Sequence, residues 1–354
     1  MRRALVFAFL FACAPAALLA APAAESAATA SEASKSDARA VVPALATKLE
    51  ENFVFPEIGK RYAEALRAKL AAGAYDGFDS RGAFAAAVTA DLQAVSPDGH
   101  LKLMAPDQVS SRRRGPPAGR DGKPVRFIDK QGWLAPGVAY ISFTAFPGDE
   151  ATLDGVRDFL ARHADAKGLI IDARGHRGGG LAEMDLIFAQ IFAEPTELVV
   201  MDTRLAVEQA HGPMDAARTL RAAAAPDGVV RRVHSALPAA KATGLRTAKV
   251  YLLTSDKTVS AAEHLALSLK RTHRATLIGE TTRGAGHYGG VEELPGGFAA
   301  FIPVGRTFDP DTGEGWEGTG VKPDIAVPAE QALDEALKLA GVSTSGEAAL
   351  AGLN

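Results

Sequence analysis

The sequence is poor in cysteine, in aromatic residues and in surplus positive charge. Cys13 is the single cysteine among 354 residues, so disulfide frameworks, zinc–thiolate sites and cysteine nucleophiles are excluded for any mature chain that begins after it. The formal net charge is −3, which leaves no basic surplus to neutralise phosphates, and no nucleic-acid partner is expected. Hydrophobic residues make up 47% and charged residues 23% of the chain, as is typical of a globular protein.

The N-terminal segment, residues 1–23, has the pattern of a secretory signal peptide. Arg2 and Arg3 provide the positive start, an apolar run covers residues 4–20, and Ala21–Ala23 offers small residues for cleavage. The run is short for a helix that spans a bilayer, and an uncleaved anchor is the alternative. We therefore expect a periplasmic or secreted protein of the bacterial envelope, with no stable membrane span once the signal is removed.

Beyond the signal, the hydrophobic patterns divide the chain into four parts. The Ala/Ser-rich residues 24–36 are typical of a flexible leader. Apolar residues at helical spacing predict a small N-terminal helical domain over residues 37–100. Alternating strands and helices predict an α/β core over residues 101–340. Residues 341–354 are predicted to be a polar tail.

A serine motif, Thr258–Glu263, follows a predicted strand and opens a predicted helix. Its sequence is Thr-Val-Ser-Ala-Ala-Glu. Ser260 would therefore lie at the positive end of a helix dipole, where developing negative charge is stabilised. The pattern indicates a nucleophilic serine, and the preference for serine at helix N-caps is the alternative explanation.

Two glycine-rich turns follow other predicted strands. Asp172–Gly180 ends in three consecutive glycines, whose missing Cβ atoms let backbone N–H groups approach a ligand. Gly279–His287 is the second such turn. The first turn contains no G-x-G-x-x-G pattern and no Lys-Ser/Thr pair, so a nucleotide loop is not predicted there. A plain turn or a cleft wall is the alternative for each.

A histidine closes the predicted helical domain, in the segment Ser96–His100. His100 is a candidate general base because the ordinary pKa of histidine lies near neutrality. A structural hydrogen-bonding role is the alternative. The chain has eight histidines, so composition alone does not choose among them.

In their order along the chain these segments resemble the S41 family of serine peptidases, the tail-specific or C-terminal processing proteases. Within that family the chain is most similar to the branch that shares its fold with interphotoreceptor retinoid-binding protein. The matching motifs are D-x-R-x-N-x-G-G at Asp172–Gly179 with His176 where Asn is usual, T-x-S-A-A-E at Thr258–Glu263, G-E-T-T-x-G at Gly279–Gly284, D-x-H at Asp98–His100, and E-G-x-G-V-x-P-D at Glu317–Asp324. The resemblance implies a ClpP/crotonase-like α/β core preceded by a small helical domain.

The resemblance also implies a catalytic set. A Ser–Lys dyad would need a lysine just after the G-E-T-T-x-G turn, but Ala285 occupies that position. The alternative set, found in tricorn-type members, corresponds here to Ser260 as nucleophile, His100 as general base and Glu317 as the carboxylate that holds the base. Gly99 stands where those members have a serine.

Two further histidines and three backbone N–H groups complete the expected site. His287, in the second glycine-rich turn, is the reserve base, and His176 ranks third. The expected oxyanion hole consists of the N–H group of Ala261 together with that of Gly178 or Gly179.

The sequence thus predicts an exported serine endopeptidase or C-terminal processing peptidase that acts on peptides or proteins. No metal or organic cofactor is expected, because H-x-x-x-H, H-E-x-x-H and phosphate-loop patterns are missing from the sequence. The segment between His100 and the strand at Val138 is too short for an inserted PDZ module. A non-catalytic carrier of hydrophobic ligands on the same fold is the alternative function.

Overall fold

The computed structural model describes residues 22–113, 126–213 and 217–353. The signal peptide predicted over residues 1–23 lies almost entirely outside these ranges. Within them, no helix combines the length and the apolar character needed to cross a membrane.

The described residues form ten α-helices and twelve β-strands. The helices are α1 (Pro22–Asn52), α2 (Pro56–Ala71), α3 (Arg81–Val95), α4 (Pro106–Arg113), α5 (Glu150–Arg162), α6 (Ala182–Ile191), α7 (Leu205–His211), α8 (Ala261–Arg271), α9 (Ala332–Leu339) and α10 (Gly346–Ala351). The strands are β1 (Lys102–Met104), β2 (Ile128–Ala135), β3 (Val138–Phe143), β4 (Gly168–Asp172), β5 (Thr196–Arg204), β6 (Leu220–Ala223), β7 (Val229–Ala236), β8 (Lys249–Thr254), β9 (Thr276–Gly279), β10 (His287–Glu293), β11 (Ala299–Phe308) and β12 (Ile325–Ala326). The predicted α/β class is confirmed.

Helices α1 to α3 form a layer over an antiparallel sheet. Their apolar residues recur at helical spacing and are buried, as at Leu45, Tyr62 and Val88. These side chains share one core with Ile302 and Val304 of β11. The helical region and the sheet therefore stabilise each other.

The antiparallel sheet has the strand order β1-β11-β5-β7-β6, and β10 also pairs with β11. Strand β10 runs antiparallel to β11, from His287 opposite Arg306 to Glu293 opposite Ala299. Strand β1, which follows His100 directly, pairs with β11 as well. The shared partner strand brings the segments around His100 and His287 into one part of the molecule.

The second sheet has the order β12-β9-β8-β4-β3-β2 and is parallel except for β2. Successive residues of a strand face opposite sides, so Leu169 and Ile171 of β4 pack in the core with α5, α6 and α8. Ile170 packs on the other side, in the core with α9 and α10. Helices thus cover both faces, as parallel sheets require.

The parallel arrangement explains why distant motifs meet. Strands β4, β8 and β9 are neighbours in the sheet and run in the same direction. Their carboxyl ends therefore lie at one edge, which is where α/β proteins commonly bind ligands. The three motif-bearing loops, residues 173–181, 255–260 and 280–286, all begin at this edge.

The two segments predicted as a flexible leader and as a polar tail both contain helices. Helix α1 begins at Pro22, so residues 24–36 are helical and not a flexible leader; alanine, which suggested the leader, also has the highest helix propensity. The predicted polar tail over 341–354 contains α10. That helix buries Ala349 against the apolar cluster that includes Leu333, because its small and apolar residues share one face.

Candidate active site

The turn between β8 and α8 holds Ser260 in a conformation that residues other than glycine rarely adopt. Its φ is 62° and its ψ is −119°. Neighbouring residues fix the turn: the Thr258 hydroxyl donates to the carbonyl oxygen of Ala173 at 2.8 Å, and the Val259 N–H donates to the carbonyl oxygen of His176 at 3.1 Å. Ser260 is thereby presented at the N-terminus of α8, where the helix dipole stabilises negative charge.

Two backbone N–H groups next to Ser260 are available to bind an oxyanion. Within the described residues, the N–H groups of Ala261 and Gly179 have no hydrogen-bond partner. The N–H of Gly178 instead donates to Nδ1 of His176 at 3.0 Å. A Cβ on Gly178 would lie 2.8 Å from the Cβ of Ser260, so this loop touches the serine turn. Of the expected donors, Gly179 and Ala261 are therefore the two that remain free.

A fully buried carboxylate, that of Glu263, joins the serine turn to the turn after β9. Its Oε2 accepts the N–H of Ser260 at 2.8 Å and that of Ala285 at 2.9 Å. Its Oε1 accepts the Thr282 hydroxyl and the Gly284 N–H, both at 2.6 Å. Burial raises the pKa of Glu263, and the hydrogen bonds act in the opposite direction. Glu263 is the last residue of the T-x-S-A-A-E motif, and that position is the sequence signal for its role.

Replacing Glu263 with glutamine is expected to lower the free energy of unfolding by about 2–4 kcal/mol, because an amide nitrogen cannot accept the hydrogen bonds that one carboxylate oxygen now accepts. Urea unfolding of the variant measures the loss. The matched control is Glu280→Gln in the same turn, whose carboxylate accepts the N–H groups of Asp256 and Ala329 at 3.4 Å and makes no shorter hydrogen bond within the described ranges. Equal stability of both variants would show that Glu263 does not join the two turns.

His287, at the start of β10, is paired with a buried carboxylate. Its Nδ1 lies 2.7 Å from Oδ2 of Asp98, whose side chain is 1% exposed. Because an ionised carboxylate only accepts hydrogen bonds, Nδ1 carries a proton, and in the neutral ring Nε2 is then the nitrogen that can accept one. Burial acts to raise the pKa of Asp98, but the hydrogen bond and charge of His287 outweigh it, and the pKa lies below its usual value. An imidazole held in this way can accept a proton at Nε2.

Glu317 supports this histidine from a second direction. Its Oε2 lies 3.8 Å from Nδ1 of His287 and accepts the N–H groups of Gly286 at 2.5 Å and His287 at 3.0 Å. Its Oε1 accepts the N–H of Gly99 at 2.6 Å. Within the described residues, Glu317 makes no hydrogen bond with the His100 ring. Glu317 therefore fixes the segment before β1 against the turn before β10.

His100 has a different environment. Its ring stacks on Phe301 with 5.2 Å between the centroids. Its Nδ1 is buried, with no hydrogen-bond partner in the described part of the chain, and burial lowers the pKa of the ring. Its contact with Asp98 is made by the backbone, whose N–H donates to Oδ1 at 2.9 Å. The carboxylate contact that was expected for His100 is thus found on His287, which sequence reasoning ranked second.

Asp98, His287 and Glu317 each offer one ligand atom within 4.8 Å of the others, a spacing that a metal ion could bridge. The two carboxylates are, however, already hydrogen-bonded to backbone amides. Asp98 accepts the N–H groups of His100 and Leu101, and Glu317 accepts the three described above. Oδ1 of Asp98 and both oxygens of Glu317 thus already accept backbone amides, and Oδ2 of Asp98 faces Nδ1 of His287 at 2.7 Å. The cluster therefore fits the orientation of a histidine better than the binding of a metal.

A serine on a strained strand-to-helix turn, at the carboxyl edge of a sheet covered by helices, is an arrangement found in serine hydrolases. Comparison with known protein families identifies the class of hydrolase. Residues 137–327, more than half of the chain, match peptidase family S41. Residues 23–127 match the N-terminal domain of peptidase S41 in eukaryotic IRBP. The chain belongs to peptidase family S41, a family of serine peptidases.

Three solved structures have a similar fold. The photosystem II D1 C-terminal processing protease is 14% identical, with a TM-score of 0.52, and the match covers 85% of this chain and 94% of that one. A candidate peptidase from Parabacteroides merdae is 18% identical, with a TM-score of 0.56 and coverage of 90% and 96%. A lipoprotein from Streptococcus agalactiae is 15% identical, with a TM-score of 0.53 and coverage of 86% and 95%. At these identities the likeness concerns the fold, and it confirms the fold expected from the motifs.

Proposed function

We propose that this protein is an exported serine endopeptidase or C-terminal processing peptidase in which Ser260 is the nucleophile. The observation that carries the proposal is the serine turn. It places a hydroxyl group at the N-terminus of α8, beside the unpartnered N–H groups of Gly179 and Ala261. Membership of family S41 supports the same class of reaction.

In the proposed reaction, Oγ of Ser260 attacks the carbonyl carbon of the peptide bond while Nε2 of His287 takes the hydroxyl proton. The negative oxygen of the tetrahedral intermediate binds the N–H groups of Gly179 and Ala261; each such donor typically contributes about 10²–10³ in kcat. His287 then gives its proton to the leaving amine, the C–N bond breaks, and an ester remains on Ser260. A water molecule, deprotonated by the same imidazole, hydrolyses the ester and restores the serine.

Asp98 has the role of orienting His287 and stabilising the imidazolium that forms, because its buried oxygen contacts Nδ1 at 2.7 Å. Glu317 adds a second negative charge 3.8 Å from the same nitrogen. The alternative base is His100 with Glu317 as its carboxylate. Within the described residues, however, the His100 ring makes no hydrogen bond with Glu317 and is stacked on Phe301.

Incubation of the protein with a library of short peptides, followed by mass spectrometry, tests the proposed function. We expect new peptide termini, and we expect pretreatment with a serine-reactive fluorophosphonate to abolish them. A hydrophobic-ligand carrier would leave the peptides intact and would bind a fluorescent apolar ligand saturably. That pair of results would contradict the peptidase proposal.

We further infer that the protein is exported to the periplasm or secreted, on the basis of the signal pattern in residues 1–23. Mass spectrometry of the N-terminus of protein isolated from the producing cell checks this. A mature chain that starts near residue 24 is expected. A retained Met1 in the cytosolic fraction would contradict export.

A further inference from the structure

His176 is buried in the loop between β4 and α6, next to the serine turn. Its side chain is fully buried. The ring stands perpendicular to that of Phe146, with 4.2 Å between the centroids. Nδ1 accepts the N–H of Gly178 at 3.0 Å. His176 therefore does more than fill space, because its ring binds a backbone N–H of the loop that carries the candidate oxyanion donors.

The hydrogen bonds of this loop leave one of its amides unused. Besides the Gly178 N–H bound by His176, the Gly180 N–H donates to the carbonyl oxygen of Phe146 at 2.8 Å, and the Phe146 N–H donates to the carbonyl oxygen of Gly178 at 2.9 Å. The N–H of Gly179 lies between these engaged groups and has no partner in the described part of the chain. The loop is thus fixed on both sides of a single free donor.

The backbone path of the loop requires glycine and is held close to its neighbours. Gly178 has a φ of 97° and Gly179 a φ of 138°, and a Cβ on Gly179 would lie 1.9 Å from the carbonyl oxygen of Phe146. Glycine has little intrinsic preference for one backbone conformation over another. The conformation of this loop therefore depends on the contacts that hold it. The side-chain contact that holds Gly178 is His176.

We propose that His176 is a positioning residue of the oxyanion hole: its Nδ1 binds the Gly178 N–H and so directs the Gly179 N–H to the side of Ser260, where it acts together with the N–H of Ala261. His176 also contributes its carbonyl oxygen to the serine turn, through the N–H of Val259 at 3.1 Å. One residue therefore contacts both the loop and the turn that must meet at the reacting carbonyl. This inference rests on the proposed function.

The protonation state of His176 suits this role. Nδ1 can accept the amide hydrogen only if it carries no proton, so the ring hydrogen is on Nε2. Burial lowers the pKa of His176 to about 3, which keeps the ring neutral from weakly acidic to alkaline pH. Nε2 has no hydrogen-bond partner in the described part of the chain. Among the described residues, no group therefore favours the other tautomer, in which the hydrogen is on Nδ1.

Two substitutions distinguish the role of the hydrogen-bond acceptor at Nδ1 from the role of the volume that the ring fills. Asparagine places its Oδ1 at the same bond separation from Cα as Nδ1 of histidine, so His176→Asn can still accept the Gly178 N–H. His176→Leu fills a similar volume with no acceptor. If His176 only filled space, the leucine variant would be the better tolerated of the two.

We expect His176→Leu to lower kcat by about 10²–10³, as for loss of one oxyanion donor, with KM changed by less than about threefold. We expect His176→Asn to keep kcat within about tenfold of the unchanged protein. The rate of Ser260 labelling by a fluorophosphonate should follow the same order, and thermal unfolding of both variants shows whether folding is affected. Equal losses in both variants, or full activity of His176→Leu, would overturn the inference.

A spectroscopic measurement tests the hydrogen bond independently of activity. Imidazole ¹⁵N spectra of the full chain, with the His176 signals identified by their loss in His176→Asn, are expected to show Nδ1 as the unprotonated nitrogen, unchanged from pH 5 to pH 8. A protonated Nδ1 would overturn the inference even in an active peptidase. Absence of turnover by the unchanged protein would instead count against the proposed function.

Discussion

Replacing Ser260 with alanine is expected to abolish peptide turnover, with a fall in kcat of about 10⁶-fold, because removal of a nucleophile leaves no group to form the acyl-enzyme. The fold should survive. The hydrogen bonds of Ser260 in the described residues are made by its backbone, through its N–H to Glu263 and its carbonyl oxygen from the helix. Both remain in alanine, so the free energy of unfolding should change by less than about 1 kcal/mol.

The matched control is Ser268→Ala, two turns further along α8. Ser268 is buried, whereas Ser260 is half-buried, and the Ser268 hydroxyl has no hydrogen-bond partner in the described part of the chain. Turnover of a peptide substrate should be unchanged in this control. Both variants are purified by the same procedure, so that a contaminating peptidase would appear in both. Residual activity above about 1% in Ser260→Ala that is not due to a contaminant would show that the nucleophile lies elsewhere.

Replacing His287 with alanine is expected to lower kcat by about 10⁴–10⁶, because no base would then take the Ser260 proton. Replacing His100 with alanine should cost less than about tenfold in kcat, since in the described part of the chain its ring makes no hydrogen bond with a carboxylate and is stacked on Phe301. Both rings contact an aromatic neighbour, Phe55 for His287 and Phe301 for His100, so the two variants lose similar packing and serve as controls for each other.

The kinetic comparison of these variants decides the identity of the base. Steady-state turnover of one peptide substrate, with KM and kcat determined separately, is the measurement. A large loss for His100→Ala and a small one for His287→Ala would show that His100, and not His287, is the base. The expected order follows from the 2.7 Å contact between His287 and Asp98.

The serine turn and the glycine loops could be predicted because their signals are local. A buried strand followed by glycines or by a small-residue helix start indicates a loop at the carboxyl end of that strand. Three such strands, β4, β8 and β9, are parallel neighbours, so the loops at their ends meet. The location of Ser260 and of the glycine-rich turn with Gly178 and Gly179 at this edge could be predicted for this reason.

The pairing of His287 with Asp98 could not be predicted in the same way. Asp98 and His287 are 189 residues apart in the chain, and no periodic pattern records a contact of that kind. The Asp98 turn uses Oδ1 for the N–H groups of His100 and Leu101. Oδ2 of Asp98 therefore faces His287 and not the ring of His100. This orientation cannot be inferred without knowing the path of the backbone.

Helix α1 and the C-terminal helix illustrate a second limit. The Ala/Ser-rich stretch was expected to be a flexible leader and the C-terminal stretch a polar tail, yet residues 22–52 are one helix and residues 346–351 another. Composition suggests disorder where apolar residues are few, but high helix propensity and one buried face are enough to order a short segment. Ala349, buried in the cluster beside α9, is the clearest case.

The central claim is that Ser260 is an activated nucleophile, and covalent labelling tests it most directly. The full chain is treated with a fluorophosphonate probe, digested, and mapped by mass spectrometry beside Ser260→Ala and Ser268→Ala. The structure predicts one adduct, on Ser260, which is absent from Ser260→Ala and unchanged in Ser268→Ala. A folded protein that remains unlabelled at Ser260, or that is labelled at another residue, would contradict the account.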